Sequence, residues 1–347
     1  MNSQKSLYFL GDCSFKTLNN KNPFRIIENE LKDNFVVCNF ETSIYEKNYV
    51  NENKFIQLGI KEDEIPEHSI ENIDIFNLAN NHTFDYAEKG LKQTINFLKE
   101  NNKQIIGIKN FEYLITEVND KLIGFVGCIA YSGLKRKIYV NDKDAINIIK
   151  SIRNKCDYII LCVHWGTEYA DYPSPSQRWL AKRFVKAGSD LIIGHHPHVI
   201  QGYEEISNKL VYYSLGNCNF FYRENLSKWS KFSLILEISL QDKLMIKENY
   251  YKIDDTYSLC ELDKAETKEV FNHFFSISNE NLKRSWIQWG KSVAPIFLKQ
   301  ERDTFRNRFK RKKIRQYIIF IYWLTRPKTI FLLVCYFFCL IGKNCNE

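Results

Sequence analysis

Three of the seven histidines fall within four positions, in Gly194-His195-His196-Pro197-His198, directly after the apolar run Leu191-Ile192-Ile193. Extended backbone sends alternate side chains to opposite sides, and Pro197 keeps the segment out of helix, so two of these rings can converge on one point. Neutral imidazole is the commonest metal-ligating side chain, which makes the stretch a candidate ligand segment. The competing reading is a histidine cluster on a polar turn. Four more apolar runs decide between the two, because each also ends in a residue of ligating type. The run at 7–10 leads into Gly11-Asp12, that at 35–38 into Asn39-Phe40-Glu41, that at 73–78 into Asn80-Asn81-His82, and that at 158–163 into His164-Trp165-Gly166. Each alone is explained by a turn or a helix cap. Five together, at the carboxyl ends of strands, build a site where α/β folds place theirs.

Carboxylate, amide oxygen and imidazole in one cluster suit a divalent ion such as manganese, zinc or iron. The set divides into two ion positions bridged by Glu41, with Asp12 and His198 on one side and Asn81, His164 and His196 on the other. A pair of ions about 3.5–4 Å apart activates water and clamps both oxygens of a hydrolytic displacement. His82, next to Asn81, is expected to face the substrate as a general acid, since imidazole titrates near neutrality.

Short apolar runs alternate with segments of helical period, the pattern of an α/β fold. Beyond the runs already named, strands are expected at 122–126 and 210–213, helices at 90–101 and 177–187 with Gly188 as a stop, and a hairpin over 233–240 and 244–253. The chain therefore divides into a main domain at 1–255, a helical extension at 256–301 with no legible chemistry, and a tail at 302–347. The formal net charge of +8 is local: residues 302–315 hold eight Lys/Arg and one Asp. That concentration argues against a nucleic-acid face spread over the fold. Ten scattered cysteines form no close pairs, so they are expected to be reduced and buried, as in a reducing compartment. No secretory signal is legible at the start.

In the tail, apolar pieces of 8 and 13 residues (317–324 and 330–342) flank Arg326-Pro327-Lys328. Each is shorter than the ~20 residues of a straight span. Joined, they would bury two cations and kink at Pro327. A surface-lying or re-entrant anchor fits better, with the basic run docked on anionic headgroups, and a hairpin packed on the protein's own core is the alternative. The expected location is the cytoplasmic face of the cell membrane, peripherally attached.

The ordered motifs Gly11-Asp12, Asn39-Phe40-Glu41-Thr42, Asn80-Asn81-His82-Thr83-Phe84-Asp85-Tyr86, His164-Trp165-Gly166-Thr167-Glu168-Tyr169, Gly194-His195-His196-Pro197-His198 and Tyr213-Ser214-Leu215-Gly216-Asn217 resemble the CapA family of poly-γ-glutamate capsule synthesis, over roughly residues 5–225. The resemblance implies a bacterial source and a four-layer α/β sandwich of the calcineurin-like metallophosphoesterase type. By position it implies metal ligation by Asp12, Glu41, Asn81, His164, His196 and His198, with His195 an inserted extra. It further implies that Glu168, Gln177 and Asn217 line the pocket, where Asn39, Asn80 and Asp85 are also expected. Asp12-Cys13-Ser14 departs from the Asp-x-His opening of phosphoesterases, which leaves the first metal position one ligand short. Two functions follow as expectations. One is a metal-dependent hydrolase acting on a phosphoester or amide bond of an anionic polymer or envelope precursor. The other is a non-catalytic, membrane-docked factor of a capsule-synthesis complex.

Overall fold

A computed structural model describes residues 4–46, 57–130, 138–241, 243–309 and 320–344. Two sheets stack face to face. The first runs in the order Leu259–Cys260, Leu244–Ile253, Phe232–Leu240, Leu7–Cys13, Phe35–Phe40, Ile75–Asn77, Gln104–Ile106, with Asn217–Asn219 also pairing to Leu7–Cys13. The second runs Ile200–Ile206, Lys209–Leu215, Leu191–His195, Tyr158–Trp165, Lys121–Ala130, Tyr113–Val118. The four strands from Leu7–Cys13 to Gln104–Ile106 are parallel, as are the four from Lys121–Ala130 to Lys209–Leu215. Each sheet thus presents a row of carboxyl ends.

Side-chain alternation makes the layers. Leu7, Phe9 and Val37 of the first sheet meet Phe125, Ile160 and Cys162 of the second in a shared inner core. Their neighbours Tyr8, Leu10 and Val36 face outward beneath Leu98 of the Ala87–Glu100 helix. On the far side Val126, Leu161 and Val163 pack under Ile149 and Phe184 of the helices Asp142–Ile152 and Pro175–Ala187. Strands buried on both faces read as continuous apolar runs, which is why these segments carry little polar alternation. The result is the expected four-layer α/β sandwich, helix on sheet on sheet on helix. Pro175–Ala187 begins at a Ser174 cap that accepts from the Gln177 amide, and the Gln177 side chain accepts from the Ser174 amide in return at 2.9 Å. Gln177 is accordingly a helix cap.

The hairpin Phe232–Leu240/Leu244–Ile253 forms in register, and the sheet continues past residue 255 through Leu259–Cys260. The helix Lys264–Ser276, capped by Asp263, then seats Val270 and Phe274 on the inner core. Residues 256–276 therefore complete the sandwich. His273 of that helix lies flat on Trp229, centroids 3.6 Å apart, and its buried Nε2 has no hydrogen-bond partner among the described residues. Burial, with Lys228 adding, pushes its pKa down from 6.5 to about 4. The unfolded chain then binds one more proton than the folded chain between those values, so stability present above pH 6.5 is lost as pH falls towards 4. Urea midpoints measured from pH 7 to 4 should fall less steeply in His273→Phe than in the wild type. An identical pH slope would remove His273 as a cause.

Helices Trp286–Phe309 and Pro327–Asn344 pack together and onto the body, with Leu332 and Cys335 buried against Trp289, Val293 and Ala170. The two apolar pieces are not joined into one helix, since a turn at 325–326 separates them ahead of Pro327. Pro327 opens its helix, where a missing N–H costs nothing and its fixed φ is already helical. The opposite face exposes Ile330, Leu333, Val334, Phe337 and Phe338, an apolar stripe of helical period. No described helix is long and apolar enough to cross a membrane. Residues 310–319, which include much of the basic run and the start of the first apolar piece, lie outside the described residues. All nine described cysteines are free, five of them buried in the sandwich.

Candidate metal centre

The five carboxyl ends meet where the two sheets adjoin. Leu7–Cys13, Phe35–Phe40 and Ile75–Asn77 deliver from the first sheet, and Tyr158–Trp165 and Leu191–His195 from the second. Glycine permits the close approaches: a Cβ at Gly11 would fall 2.2 Å from the Gly216 carbonyl oxygen, and one at Gly194 would fall 2.0 Å from that of Tyr213. With Gly11 in place, the Asp12 amide donates to the Gly216 carbonyl at 2.9 Å and the Glu41 amide to the Cys13 carbonyl at 2.8 Å. His196 and His198 hold positive φ values of 98° and 55°, conformations that side-chain-bearing residues rarely adopt. Such backbone persists where its surroundings over-determine it. Here the His196 amide donates to Asp12 Oδ2 at 3.2 Å, and the Tyr169 amide holds the Pro197 carbonyl at 2.7 Å.

Glu41 is the hub. Its Oε1 lies 3.7 Å from His164 Nε2, 3.7 Å from His198 Nε2 and 3.9 Å from His82 Nε2, while its side chain is fully buried. The separations from His164 and His198 exceed a hydrogen bond and suit donors that share an ion held at about 2.0–2.2 Å from each. Ligating atoms within 4.8 Å of one another form three groups: Asp12, Glu41 and His198; Glu41, His164 and His196; and Glu168, His196 and His198. Asn81 Oδ1 sits 2.6 Å from His164 Nε2. The residues expected on either side of Glu41 are thus brought together in the same two subsets. Glu168, expected only to line the pocket, also comes within ligating reach of two of the histidines.

Burial and charge set opposite states on neighbouring rings. Burial pushes His196 down to about 4 and holds His164 well below its ordinary value, so both are neutral and able to ligate at neutral pH. Burial acts on His198 in the same direction, but the Glu41 and Asp12 carboxylates outweigh it and raise the ring to about 10. Burial disfavours the Asp12 anion, yet hydrogen bonds and charge from His195 and His198 hold its pKa well below the carboxylate range. Buried carboxylates of this kind require a paired charge or a metal.

The outer polar groups orient the inner ones. Asn39 donates to Asp12 Oδ1 at 2.8 Å and accepts from Asn77 at 3.1 Å. Asn217 Oδ1 accepts from His198 Nδ1 at 2.9 Å, which turns Nε2 towards Glu41. Asp85 Oδ2 lies 2.7 Å from His82 Nδ1 and also takes the Leu58 amide, leaving His82 Nε2 for the pocket. Asn80 knots its own turn, accepting from the His82 and Thr83 amides at 3.0 Å and donating to the Phe40 carbonyl at 2.7 Å. Its side chain serves the backbone, so it shapes the pocket without lining it. His195, the inserted extra, belongs to none of the ligating groups and lies behind Asp12, with its Nδ1 3.3 Å from Asp12 Oδ1. The extension and the tail also reach the site, which sequence reasoning missed. Gln300 donates to the Glu168 carboxylate, and Lys328 donates to Thr167 Oγ1 at 3.1 Å.

The class defined by this architecture is an α/β sandwich that carries ligating side chains on strand ends from both sheets. Over residues 6–222, more than half of its length, the chain matches bacterial capsule synthesis protein PGA_cap, and it belongs to that family. It is 32% identical over 240 residues to the capsule biosynthesis protein CapA of Bacillus anthracis, covering 63% of this chain and 58% of that one. It is 31% identical over 198 residues to the PGA biosynthesis protein CapA of Bacillus subtilis (strain 168), covering 53% and 52%. The chain spans little more than half the length of these relatives. Among solved structures, a novel phosphatase from Mycoplasma pneumoniae aligns at 14% identity and a TM-score of 0.37, over 79% of this chain and all of that one. A hypothetical protein from Thermus thermophilus aligns at 12% and 0.47, over 71% and 99%.

Proposed function

We propose that the protein is a divalent-metal-dependent hydrolase of capsule or envelope-polymer synthesis, acting on a phosphoester or amide bond of a poly-γ-glutamate-type polymer or its precursor. The observation that carries this reading is the buried Glu41 carboxylate, grouped with Asp12 and His198 on one side and with His164 and His196 on the other at distances that suit ligation. Asp12, Glu41 and His198 would hold one ion, and Glu41, Asn81, His164 and His196 a second, with Glu168 within reach of His196 and His198. Manganese, zinc or iron bound there would supply activation of water near neutral pH and neutralisation of developing charge. The chain supplies the proton. Asp85 fixes the His82 ring through Nδ1, so Nε2 is the atom that hands a proton to the leaving group. Elemental analysis of the purified protein, combined with a panel of phosphodiester and γ-glutamyl substrates, tests the reading. Bound transition metal with hydrolysis of at least one class is expected. Metal-free protein that turns over neither class even after metal is added would contradict it.

The tail, residues 302–347, is proposed to dock on an anionic membrane surface. Ile330, Leu333, Val334, Phe337 and Phe338 provide an exposed apolar stripe, and the eight cations of residues 302–315 precede it in sequence. Apolar burial and roughly 1 kcal/mol per cation near anionic headgroups act together in such attachment. Flotation with phosphatidylglycerol vesicles should recover the wild type at low salt and lose the Phe337→Glu/Phe338→Glu variant. Equal recovery of the two proteins, or wild type that stays with neutral vesicles alone, would refute the docking.

A further inference from the structure

The pocket above the histidine cluster is lined by His82, Glu168, Tyr169, His198, Phe221 and, at one wall, Arg223. Arg223 is neither a ligand type nor part of the motifs that build the cluster. Its backbone is nonetheless fixed. The Arg223 amide donates to Ser230 Oγ at 3.0 Å, and its carbonyl accepts from the Leu226 and Ser227 amides at 2.9 and 3.0 Å. A ladder of rings joins it to the site: Phe220 stacks on His198 with centroids 4.5 Å apart, Phe221 stacks on Phe220 at 4.7 Å, and the guanidinium lies 5.7 Å from the Phe221 centroid. Lys299 donates to the Asn225 carbonyl of the same turn, while its neighbour Gln300 holds Glu168 across the pocket. Two consecutive residues of one helix therefore fix both walls.

The adjacent carboxylate, Glu224, pairs with Lys231 at 3.0 Å, and among the described residues no carboxylate pairs with the Arg223 guanidinium. A cation held at the wall of a pocket and left unneutralised offers a planar, bidentate site for an oxyanion. We propose that Arg223 binds a carboxylate or phosphate of the substrate, one that flanks the bond to be cleaved and does not itself enter the histidine cluster. This rests on the hydrolase reading for the identity of the ligand, but the anion site is testable without turnover. It would select anionic chains over neutral ones, and anchor them so that the scissile bond falls beside His82.

Isothermal titration of glutarate and of inorganic phosphate into the full-length wild type, Arg223→Met and Arg223→Lys, each first checked for unchanged thermal unfolding, tests the assignment. Arg223→Met should weaken the preferred anion at least tenfold while leaving manganese binding as in the wild type, and Arg223→Lys should recover part of the loss. Preference for glutarate identifies a carboxylate polymer, and preference for phosphate a phosphoester. In turnover the same Met variant should raise KM more than it lowers kcat. Anion affinities equal in wild type and Arg223→Met, or a wild type that binds neither anion, would overturn the proposal. Loss of metal binding or hydrolysis with Arg223-dependent anion binding intact would instead count against the hydrolase reading alone.

Discussion

Replacing His196 by alanine should strip the site of metal and of hydrolysis while leaving the sandwich folded. His196 belongs to two of the three ligating groups, with Glu41 and His164 and with Glu168 and His198. Its buried ring, pushed down to about 4, presents a neutral nitrogen with no proton to displace near neutral pH. Losing several kcal/mol of charge stabilisation should lower the rate by ~10³-fold or more at about 1.36 kcal/mol per decade. Wild type should gain thermal stability on addition of manganese, because an ion that binds only the folded state stabilises it by mass action. His196→Ala should show little such gain. His196→Gln keeps most of the volume and separates ligand loss from the cavity left by a ring that is 1% exposed. Wild-type metal content and rate in both variants would show that His196 is not a ligand.

His82→Ala should separate the proton donor from the ion site. His82 Nδ1 is engaged by Asp85 at 2.7 Å, and Nε2 faces the pocket 3.9 Å from Glu41 Oε1. A positioned general acid contributes about 10²–10⁴-fold, so kcat should fall by that factor while metal content stays as in the wild type. The loss should shrink with substrates whose leaving group needs no proton, such as nitrophenyl esters. Asp85→Asn should give a smaller defect of the same kind, through a ring no longer held in one tautomer. Metal loss in His82→Ala equal to that in His196→Ala would place His82 among the ligands and leave the donor to another group.

The chain announces the ingredients of this site more clearly than its assembly. Apolar runs ending in Asp12, Glu41, Asn81, His164 and His196 are local signals, because a strand buried on both faces needs a continuous apolar sequence and its ligand sits close beyond the end. That three ends come from one sheet and two from another depends on how the sheets stack, which no local pattern encodes. The positive φ at His196 and His198 is equally illegible, since the strain is held by Asp12 and Tyr169 from distant segments. Gln300 reaches Glu168, and Lys328 reaches Thr167, only because two late helices fold back on the body. Residues 256–301, in which the sequence shows no chemistry, therefore finish the sheet and touch the pocket. Pro327 shows the limit of reading one residue: the same ring breaks a helix interior or starts a helix, and the choice lies in its neighbours.

Anomalous diffraction from crystals of the full chain grown with manganese tests the proposed centre most directly. Peaks are expected on both sides of the Glu41 carboxylate, one shared with Asp12 and His198 and the other with His164 and His196. An absence of anomalous density at Glu41, with manganese bound elsewhere or not at all, would contradict the metal-dependent reading.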